Sequence, residues 1–405
     1  MGFQQGLSGL NTSTRNLAVI GNNVANASTV GFKAGRAEFA DVYANTASAG
    51  GLQIGQGTKL AAVSTQFSQG NISTSSGPLD VAINGSGLFR LSSQGVISYT
   101  RNGQFKLDKN GMLTTDTGAN VTGYPADATG NVVASTPGNL QMSLVNMAPK
   151  ATTAASVGVN LDSRSTVPAT AFSLTDPTSY NSSTALTAYD TQGNSHTLSL
   201  YFSKTAANTW DVHAADDGVI LNGGAAVSTL NFSTAGALAA NQTVNLSLPL
   251  ANGATTPLAF PLTFTAAEMT QFGVGFGVNK LAQDGYTTGK LSGYAIGADG
   301  VILGRYDNGQ TRAQGQIVLS TFANLQGLAQ IGDNQFTQTS ESGQPLTSQP
   351  GSGSLGVLQS GSLEEANIDL TGELVSMITA QRVYQANAQT IKTEDQVMQT
   401  LVNLK

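Results

Sequence analysis

Residues 16–32 of the 405-residue chain read NLAVIGNNVANASTVGF. Leu17, Ile20 and Val24 have the spacing of residues on one face of an α-helix. The same stretch contains three asparagines, which favour helix ends and turns because their side chains compete for backbone hydrogen bonds. The stretch therefore predicts an amphipathic helix that ends at a cluster of asparagines.

A heptad pattern extends this helix toward the N-terminus, and a second heptad pattern occupies the other end of the chain. Both patterns alternate in steps of three and four residues, which is the spacing of coiled coils. Residues 366–404 are predicted to form one long helix, and the sequence SLEE at 362–365 fits a capping box at its start. The apolar positions, with Ile20 and Gln381, form the predicted assembly interface: Phe3, Leu7, Leu10, Leu17, Ile20, Val24, Leu374, Met377, Gln381, Tyr384, Ala388, Ile391, Met398 and Val402.

The two helices have two possible partners. They could pack as the ordinary core of their own domain, or they could pack between chains. Polar or small residues interrupt both heptad patterns at Thr14, Gly21, Gln381 and Asp395. Such residues cost stability in an isolated helix pair but can fix the register among several chains. The pattern therefore favours packing between chains.

The composition excludes several classes of function. Only 10% of the residues are charged and the formal net charge is −6, which disfavours nucleic-acid binding because that depends on neutralising phosphates. The chain has no cysteine, so we expect neither disulfides nor thiolate sites. No apolar run is long enough to span a bilayer, and the N-terminus lacks the basic and apolar regions of a secretory signal. We therefore expect no nucleic-acid partner, no membrane span and no cleavable signal peptide.

Between the two helices the sequence predicts β-structure. Residues 28–71, together with 358–365, are predicted to form a linker with little regular structure. Asn-Gly pairs at 84–85, 102–103, 110–111 and 308–309, and Asp-Gly at 299–300, predict turns between strands. Residues 184–202 predict a hairpin that turns at 192–194. We expect a β domain built from 72–147 and 285–357, interrupted by an inserted β domain at 148–284.

The sequence gives no positive signal for a catalytic, cofactor or metal site. His196 stands in an alternating strand beside a predicted turn, so a position on a polar face explains it better than a role as metal ligand or base. Residues 351–356, GSGSLG, match the three-glycine pattern of dinucleotide-binding proteins, but no buried strand precedes them. We predict a turn there and no bound cofactor.

The N-terminal stretch SGLNTSTRNLAVIGNNVANASTVGFKAG (8–35) resembles the signature of the bacterial flagellar axial proteins, the family of rod, hook and hook-associated subunits. The matching positions include the helix-end and linker signature formed by Asn22, Asn23, Asn26, Gly31 and Phe32, followed by Lys33. Residues 366–404 are similar to the C-terminal signature, and 79–113 with 332–345 resemble the β domain shared by rod and hook subunits. AYDTQGNSHTLSLYF (188–202) resembles the hook branch of the family, whereas rod subunits are typically shorter.

The resemblance implies a non-enzymatic, mainly β, multidomain subunit. Its terminal helices (1–27 with 366–405) would form a coiled-coil-like inner domain, with the linker, the β domain and the insert nested outward. Many copies would form the hook, a curved and flexible tube that transmits motor torque from rod to filament. The implied partners are further copies of the chain, the distal rod, hook cap, hook-length control and hook–filament junction proteins, and the flagellar type III export apparatus. The implied location is the extracellular hook of the flagellum, next to the basal body.

Two alternatives stay open. A distal rod subunit would transmit torque without bending. A secreted β-rich adhesin or enzyme with helical ends belongs to another class of function altogether.

Overall fold

The structure, a computed structural model, describes residues 2–42, 55–127 and 129–403. The chain divides into two compact units. The first comprises Met1–Leu144, Gly293–Arg305 and Thr311–Lys405, and the second comprises Val145–Ser292 and Tyr306–Gln310. The second unit interrupts the first in sequence and is wider than the predicted 148–284. The division of the first unit into a helical domain, a linker and a β domain stays a prediction, and linker residues 43–54 lie outside the described residues.

Helix α1 (Gly2–Ala25) ends at the asparagines, as the sequence predicts. The backbone N–H and the side-chain Nδ2 of Asn26 both donate to the carbonyl oxygen of Asn22, at 3.1 and 2.9 Å. Helix α2 spans Leu370–Asn403, and Oδ1 of Asp369 accepts the N–H of Thr371 at 3.1 Å in its first turn. The capping box predicted at 362–365 is wrong, because residues 362–364 pair with another strand. Within the described chain, neither helix is long and apolar enough to cross a bilayer.

The rest of the fold is mainly β-structure, as the sequence predicts. In chain order the strands are β1 (Gly35–Val42), β2 (Gly57–Thr65), β3 (Ile72–Thr74), β4 (Val81–Asn84), β5 (Leu88–Ser93), β6 (Val96–Thr100), β7 (Phe105–Leu107), β8 (Leu113–Thr115), β9 (Asn120–Pro125), β10 (Gly138–Asn139), β11 (Ala155–Asp162), β12 (Ser182–Tyr189), β13 (Ser195–Ala206), β14 (Thr209–Asp216), β15 (Val219–Ile220), β16 (Ser228–Asn231), β17 (Gln242–Leu248), β18 (Leu258–Phe264), β19 (Thr270–Phe272), β20 (Gly277–Gln283), β21 (Leu291–Ile296), β22 (Val301–Tyr306), β23 (Thr311–Ile317), β24 (Leu319–Thr321), β25 (Ala329–Gly332), β26 (Gln335–Thr337), β27 (Leu346–Ser348), β28 (Val357–Ser360) and β29 (Ser362–Glu364).

The first unit is built around one large sheet with the path β21-β22-β23-β9-β5-β6-β26-β25. Its apolar core includes Ile83, Phe89, Leu113 and Ile317, all fully buried. Three antiparallel pairs lie outside this sheet: β1 with β2, β3 with β29 and β4 with β28. The last two pairs join segments that are nearly 300 residues apart in sequence, so they tie the C-terminal part of the chain to the N-terminal part.

The prediction of little regular structure in the linker is wrong for the residues that are described. Strands β1 and β2 pair along their length, from Gly35 opposite Thr65 to Val42 opposite Gly57. The register shifts between Glu38 and Phe39, so the apolar residues do not keep the period of two that reveals a strand in sequence. The C-terminal part of the linker, 358–365, is likewise largely strand.

The second unit contains two five-stranded sheets. One has the path β17-β18-β11-β19 with β20 beside β11, and the other has the path β12-β13-β14-β15 with β16 beside β14. Both sheets contribute to a single apolar core that includes Phe202, Trp210 and Phe264, all fully buried. Nε1 of Trp210 donates to Oε1 of Gln271 at 3.1 Å, which satisfies its one polar atom.

The predicted turns are partly confirmed. The hairpin at 184–202 is present, with Tyr189 opposite Ser195, and the Asn-Gly and Asp-Gly pairs at 110–111, 299–300 and 308–309 lie between paired strands. Residues 84–85 and 102–103 do not form hairpins, because the strands before and after them pair elsewhere. The sequence analysis missed the two-residue turn between β5 and β6, where Gln94 and Gly95 have φ of 50° and 89°.

Candidate assembly interface and polar junction

Helices α1 and α2 pack against each other through small residues of α1. An added Cβ at Gly6 would lie 3.0 Å from Cγ1 of Ile391, and one at Gly9 would lie 2.8 Å from the side-chain amide of Asn387. Ser13, one heptad after Gly6, is also buried, and its hydroxyl donates to the carbonyl of Gly9 at 2.8 Å. The two helix backbones therefore approach closely because this face of α1 carries almost no side chain.

The small residues Gly6, Gly9 and Ser13 lie beside the predicted heptad positions of α1. Ile20 is buried, whereas Leu10, Leu17 and Val24 are half-buried. Phe3 and Leu7 remain 51% and 44% exposed. The contact between the two helices of one chain thus joins the predicted position Ile391 to Gly6, and the spacing of apolar residues does not reveal the α1 side of this contact because glycine has no side chain. The role of the predicted positions as an interface between chains stays a prediction.

Helix α2 leaves most of its apolar residues in water. Among the predicted positions, Met377, Ala388 and Ile391 are half-buried, whereas Leu374, Gln381, Tyr384, Met398 and Val402 are exposed. The set of large exposed apolar residues on this helix is wider: Leu370, Leu374, Val375, Ile378, Val383, Tyr384, Val397, Met398, Leu401 and Val402. Exposed apolar surface of this extent marks interaction sites in soluble proteins.

At the end of α1 a cluster of buried polar residues ties the helices to the strands, and we call it the polar junction: Asn23, Gly31, Lys33, Arg101, Glu364 and Asn367. Asn23 is 2% exposed. Its Nδ2 donates to the carbonyl of Gly35 at 2.8 Å, and its Oδ1 accepts the N–H of Gly35 at 2.9 Å. Nδ2 also lies 3.1 Å from Oε1 of Glu373. One asparagine side chain therefore links α1, the first strand and α2 by pairing like a backbone peptide.

Glu364 is the centre of the polar junction. Its carboxylate accepts Nζ of Lys33 at 2.6 Å, Nε of Arg101 at 2.7 Å and the N–H of Gly70 at 2.9 Å. The side chains of Lys33, Arg101 and Glu364 are 1%, 4% and 0% exposed. Burial lowers the pKa of the Lys33 ammonium, and the charge and hydrogen bond of Glu364 oppose this shift.

Both cations of the junction, Lys33 and Arg101, also donate hydrogen bonds to backbone carbonyl oxygens. Nζ of Lys33 donates to the carbonyl of Ser68 at 2.7 Å. Nη1 of Arg101 donates to the carbonyls of Gly85 and Gly87 at 2.9 and 2.7 Å. Because one carboxylate cannot neutralise two cations, these carbonyl dipoles supply the remaining stabilisation.

Two more residues complete the polar junction. Gly31 has φ of +70°, and an added Cβ would lie 2.5 Å from the backbone nitrogen of Asn102. The Oδ1 of Asn367 accepts the N–H of Ala34 at 2.8 Å, and its Nδ2 donates to the carbonyl of Gln66 at 2.7 Å. The donors and acceptors named here are paired with one another, so the arrangement can hold these chain segments in one geometry.

The structure separates the members of the helix-end signature. Asn23 and Gly31 lie in the junction, Phe32 is half-buried beside it, and Asn22 is exposed. Sequence reasoning missed the roles of Arg101, Glu364 and Asn367. A signal was available for the first two, since charged residues are only 10% of this chain and each one within an apolar or glycine-rich stretch needs an explanation.

Comparison with known protein families covers most of the chain. Residues 3–33 match the family described as flagella basal body rod protein, and 359–404 match the flagellar basal body rod FlgEFG protein C-terminal family. Residues 82–174 match the flagellar hook protein FlgE/F/G D1 domain, and 160–286 match the flagellar basal body protein FlaE D2 domain.

Individual proteins are similar over the full length. The flagellar hook protein FlgE of Salmonella typhimurium is 44% identical over 100% of both chains, and that of Escherichia coli is 43% identical over the same shares. The flagellar hook protein FlgE of Borreliella burgdorferi is 32% identical over 99% of this chain and 98% of its own. The crystal structure of Helicobacter pylori flagellar hook protein FlgE2 has a TM-score of 0.50 at 14% identity, covering 73% of this chain and 99% of that one. At that identity the match supports the fold alone.

Proposed function

This chain belongs to the flagellar hook protein family, and from that premise we propose how its terminal helices and polar junction serve the hook. The chain is a structural subunit of the flagellar hook, in which hook protein polymerises with itself. The single observation that carries the proposal is the set of large apolar residues on α2 that the described part of the chain leaves exposed.

The exposed apolar residues of α2 are proposed to pack against neighbouring copies of the chain. These ten large apolar residues are each 37–73% exposed, and burying the remaining surface of one such side chain contributes about 1 kcal/mol. The total of roughly 10 kcal/mol is comparable to the entropic cost of association, about 4–15 kcal/mol. A single contact that buries only some of these residues would therefore not hold two copies together. Several neighbours around each helix, as in a tube, would bury all of them and stabilise the assembly.

The polar junction is proposed to pass force from the helical layer to the β-structure. Part of any load carried by α1 and α2 would reach the strands through 26–35 and 364–369, where buried hydrogen bonds fix both segments. Another part would pass directly from α1 to β2, where Oγ of Ser8 accepts the N–H of Thr58 at 3.3 Å. A stiff junction would leave bending to the contacts between subunits. We propose on this basis that the assembled tube is curved and flexible and that it transmits motor torque as a universal joint.

The partners and the route follow from the family rather than from the geometry. We propose contacts with the distal rod, hook cap, hook-length control and hook–filament junction proteins. We also propose export through the flagellar type III apparatus to an extracellular position, without a cleavable signal.

The test is negative-stain electron microscopy of the purified full chain, with substitutions on the exposed face. Val375→Asp combined with Ile378→Asp should abolish tubes, because both side chains, 60% and 52% exposed, would place charge in the interface. The control is Val167→Asp, which makes the same change at a residue 54% exposed in the second unit. Curved tubes from the wild type and the control, with none from the double variant, are expected. Equal polymerisation of all three would overturn the role of this face, and straight tubes would indicate a rod-like rather than a hook-like assembly.

A further inference from the structure

A group of titratable side chains in the second unit has no part in the proposed function. His196 lies at the start of β13, Asp216 ends β14, and Asp217 begins the tight turn to β15, with φ of 46°. Because Leu198 pairs with Asp216 across the two strands, the pleat brings the three side chains to one end of the sheet. One ligand atom from each of them can be chosen so that all three lie within 4.8 Å of one another.

The imidazole of His196 is held between two carboxylates. Its Nδ1 lies 2.9 Å from Oδ2 of Asp217, and its Nε2 lies 3.5 Å from Oδ2 of Asp190. A neutral imidazole carries one proton, so one ring nitrogen would direct its lone pair at a carboxylate oxygen. The arrangement therefore requires either a second proton on the ring or a cation beside the unprotonated nitrogen.

Asp190 is organised to face Nε2 rather than to bind a cation itself. Its side chain is fully buried. Its oxygens accept the N–H groups of Gln192 and Asn194 at 2.8 and 2.9 Å and the side-chain amide of Asn252 at 2.6 Å. This is the usual setting of a metal-ligating histidine, in which a fixed carboxylate holds one ring N–H and leaves the other nitrogen free to coordinate.

Asp216 supplies an independent sign of a missing positive charge. The residue is 5% exposed, and its Oδ1 has no hydrogen-bond partner among the described residues. Even with His196 protonated, three carboxylates would face one positive charge.

The group also has room for further ligands. His196, Asp216 and Asp217 line an open cavity of about 380 Å³, whose other walls include Leu221, Leu250 and Asn252. Water molecules can therefore reach a cation there and complete its coordination shell.

We propose that Nδ1 of His196 and the carboxylates of Asp216 and Asp217 bind one divalent metal ion of the zinc class. One imidazole and two carboxylates are a donor set that zinc accepts, with a water in the fourth position. Metal–ligand distances of about 2.0–2.2 Å place tetrahedral ligands roughly 3.5 Å apart. On binding, the His196–Asp217 contact of 2.9 Å therefore opens slightly, and ligand atoms up to 4.8 Å apart close in by about 1 Å. The ion would tie the 190–194 turn, held through Asp190 and Asn252, to the turn after β14, and so would stiffen this end of the unit.

The test is isothermal titration calorimetry of the full chain with Zn²⁺ after removal of metals by a chelator. We expect one ion per chain and at least a tenfold loss of affinity in His196→Gln and in Asp216→Asn. His213→Gln is the matched control, since His213 lies in the same unit but stacks on Phe172 at 4.0 Å and bonds to the carbonyl of Gly224. That variant should bind like the wild type. Asn252→Ala, which loosens Asp190, should weaken binding about 10–100-fold.

Circular dichroism verifies that each variant is folded. If Asp216→Asn does not fold, Asp217→Asn replaces it, because that side chain is 51% exposed and its loss should leave the fold intact. Visible d–d bands of bound Co²⁺ in the wild type, absent in His196→Gln, would identify the imidazole as a ligand. Absence of stoichiometric Zn²⁺ binding, or equal affinity in the wild type and all variants, would overturn the site and leave His196 as an imidazolium paired with its carboxylates.

Discussion

Replacing Glu364 by glutamine should strongly destabilise the first unit. The change keeps the shape of the side chain but removes the one carboxylate that, among the described residues, pairs with both Lys33 and Arg101. One oxygen also becomes an NH₂ group, and both oxygens of the native carboxylate face donors. Removing one partner of a buried ion pair costs about 3–5 kcal/mol, because an uncompensated charge stays in the interior. That is a large part of the roughly 5–15 kcal/mol by which a domain is stable.

The assay has to distinguish the two units, since their unfolding need not be a single transition. Trp210 is the only tryptophan of the chain and lies in the core of the second unit, so its fluorescence in urea reports that unit. Pulsed hydrogen exchange with mass spectrometry on peptides from β3 and β29 reports the first unit. With a urea dependence of up to about 3 kcal/mol per M, Glu364→Gln should lower the midpoint of the first unit by about 1–2 M and leave the Trp210 transition unchanged.

Two further variants make this prediction specific. Glu365→Gln makes the same chemical change at the next residue, which is exposed, and should leave both midpoints in place. Adding Lys33→Met to Glu364→Gln should restore part of the lost stability, because it removes one of the two uncompensated cations. A midpoint for Glu364→Gln that matches Glu365→Gln, or a double variant less stable than either single one, would refute the electrostatic reasoning.

Three shorter predictions concern the backbone, the charges and the insertion. Gly31→Ala should lower the free energy of unfolding by about 2 kcal/mol or more, because a residue in the left-handed region gains a Cβ 2.5 Å from a backbone nitrogen. Gly21→Ala is the control: an added Cβ there has no neighbour within 4 Å, so the variant should be neutral or stabilising in the same urea titration. Burial alone would raise the pKa of Asp284, but hydrogen bonds from Thr153 and Lys150 outweigh it and lower that pKa below its ordinary value of 3.8. The resulting stability is therefore present above pH 3.8 and lost as the pH falls below it, so acid unfolding followed by Trp210 fluorescence should be less steep in Asp284→Asn. The N–H of Met147 donates to the carbonyl of Gly289 at 2.7 Å, so joining residues 147 and 289 by a short Gly-Ser linker should leave hydrogen-exchange protection of the first unit unchanged.

The sequence predicted the existence of both helices and the end of α1 because those depend on local chemistry, whereas the predicted start of α2 was wrong. Apolar spacing and the asparagines mark α1, and the turn at 192–194 marks the best hairpin. Which side of α1 contacts α2 could not be predicted in the same way. Gly6 and Gly9 form it by being small, whereas a search for apolar periodicity selects Phe3 and Leu7, which one chain leaves exposed.

The polar junction shows a second limit of local reading. The sequence SLEE at 362–365 fits a capping box, yet Glu364 accepts from Lys33 and Arg101, which are 331 and 263 residues away. No local pattern distinguishes a carboxylate that caps a helix from one that pairs with distant cations. The same holds for His196, whose alternating strand is visible in sequence while the approach of Asp190 and Asp217 depends on two separate turns.

The placement of rare charges in the junction is itself an argument about function. Apolar contacts are non-directional, so surfaces held by them alone can slide with little change in energy. Hydrogen bonds between charged groups lose strength steeply with distance and angle, and a buried ion pair that is displaced leaves uncompensated charge. Lys33, Arg101 and Glu364 come from three distant parts of the chain and meet at less than 5% exposure. A chain with few charges that buries three of them at the passage from helices to strands thereby resists shear at that point, which is what a subunit that transmits torque requires.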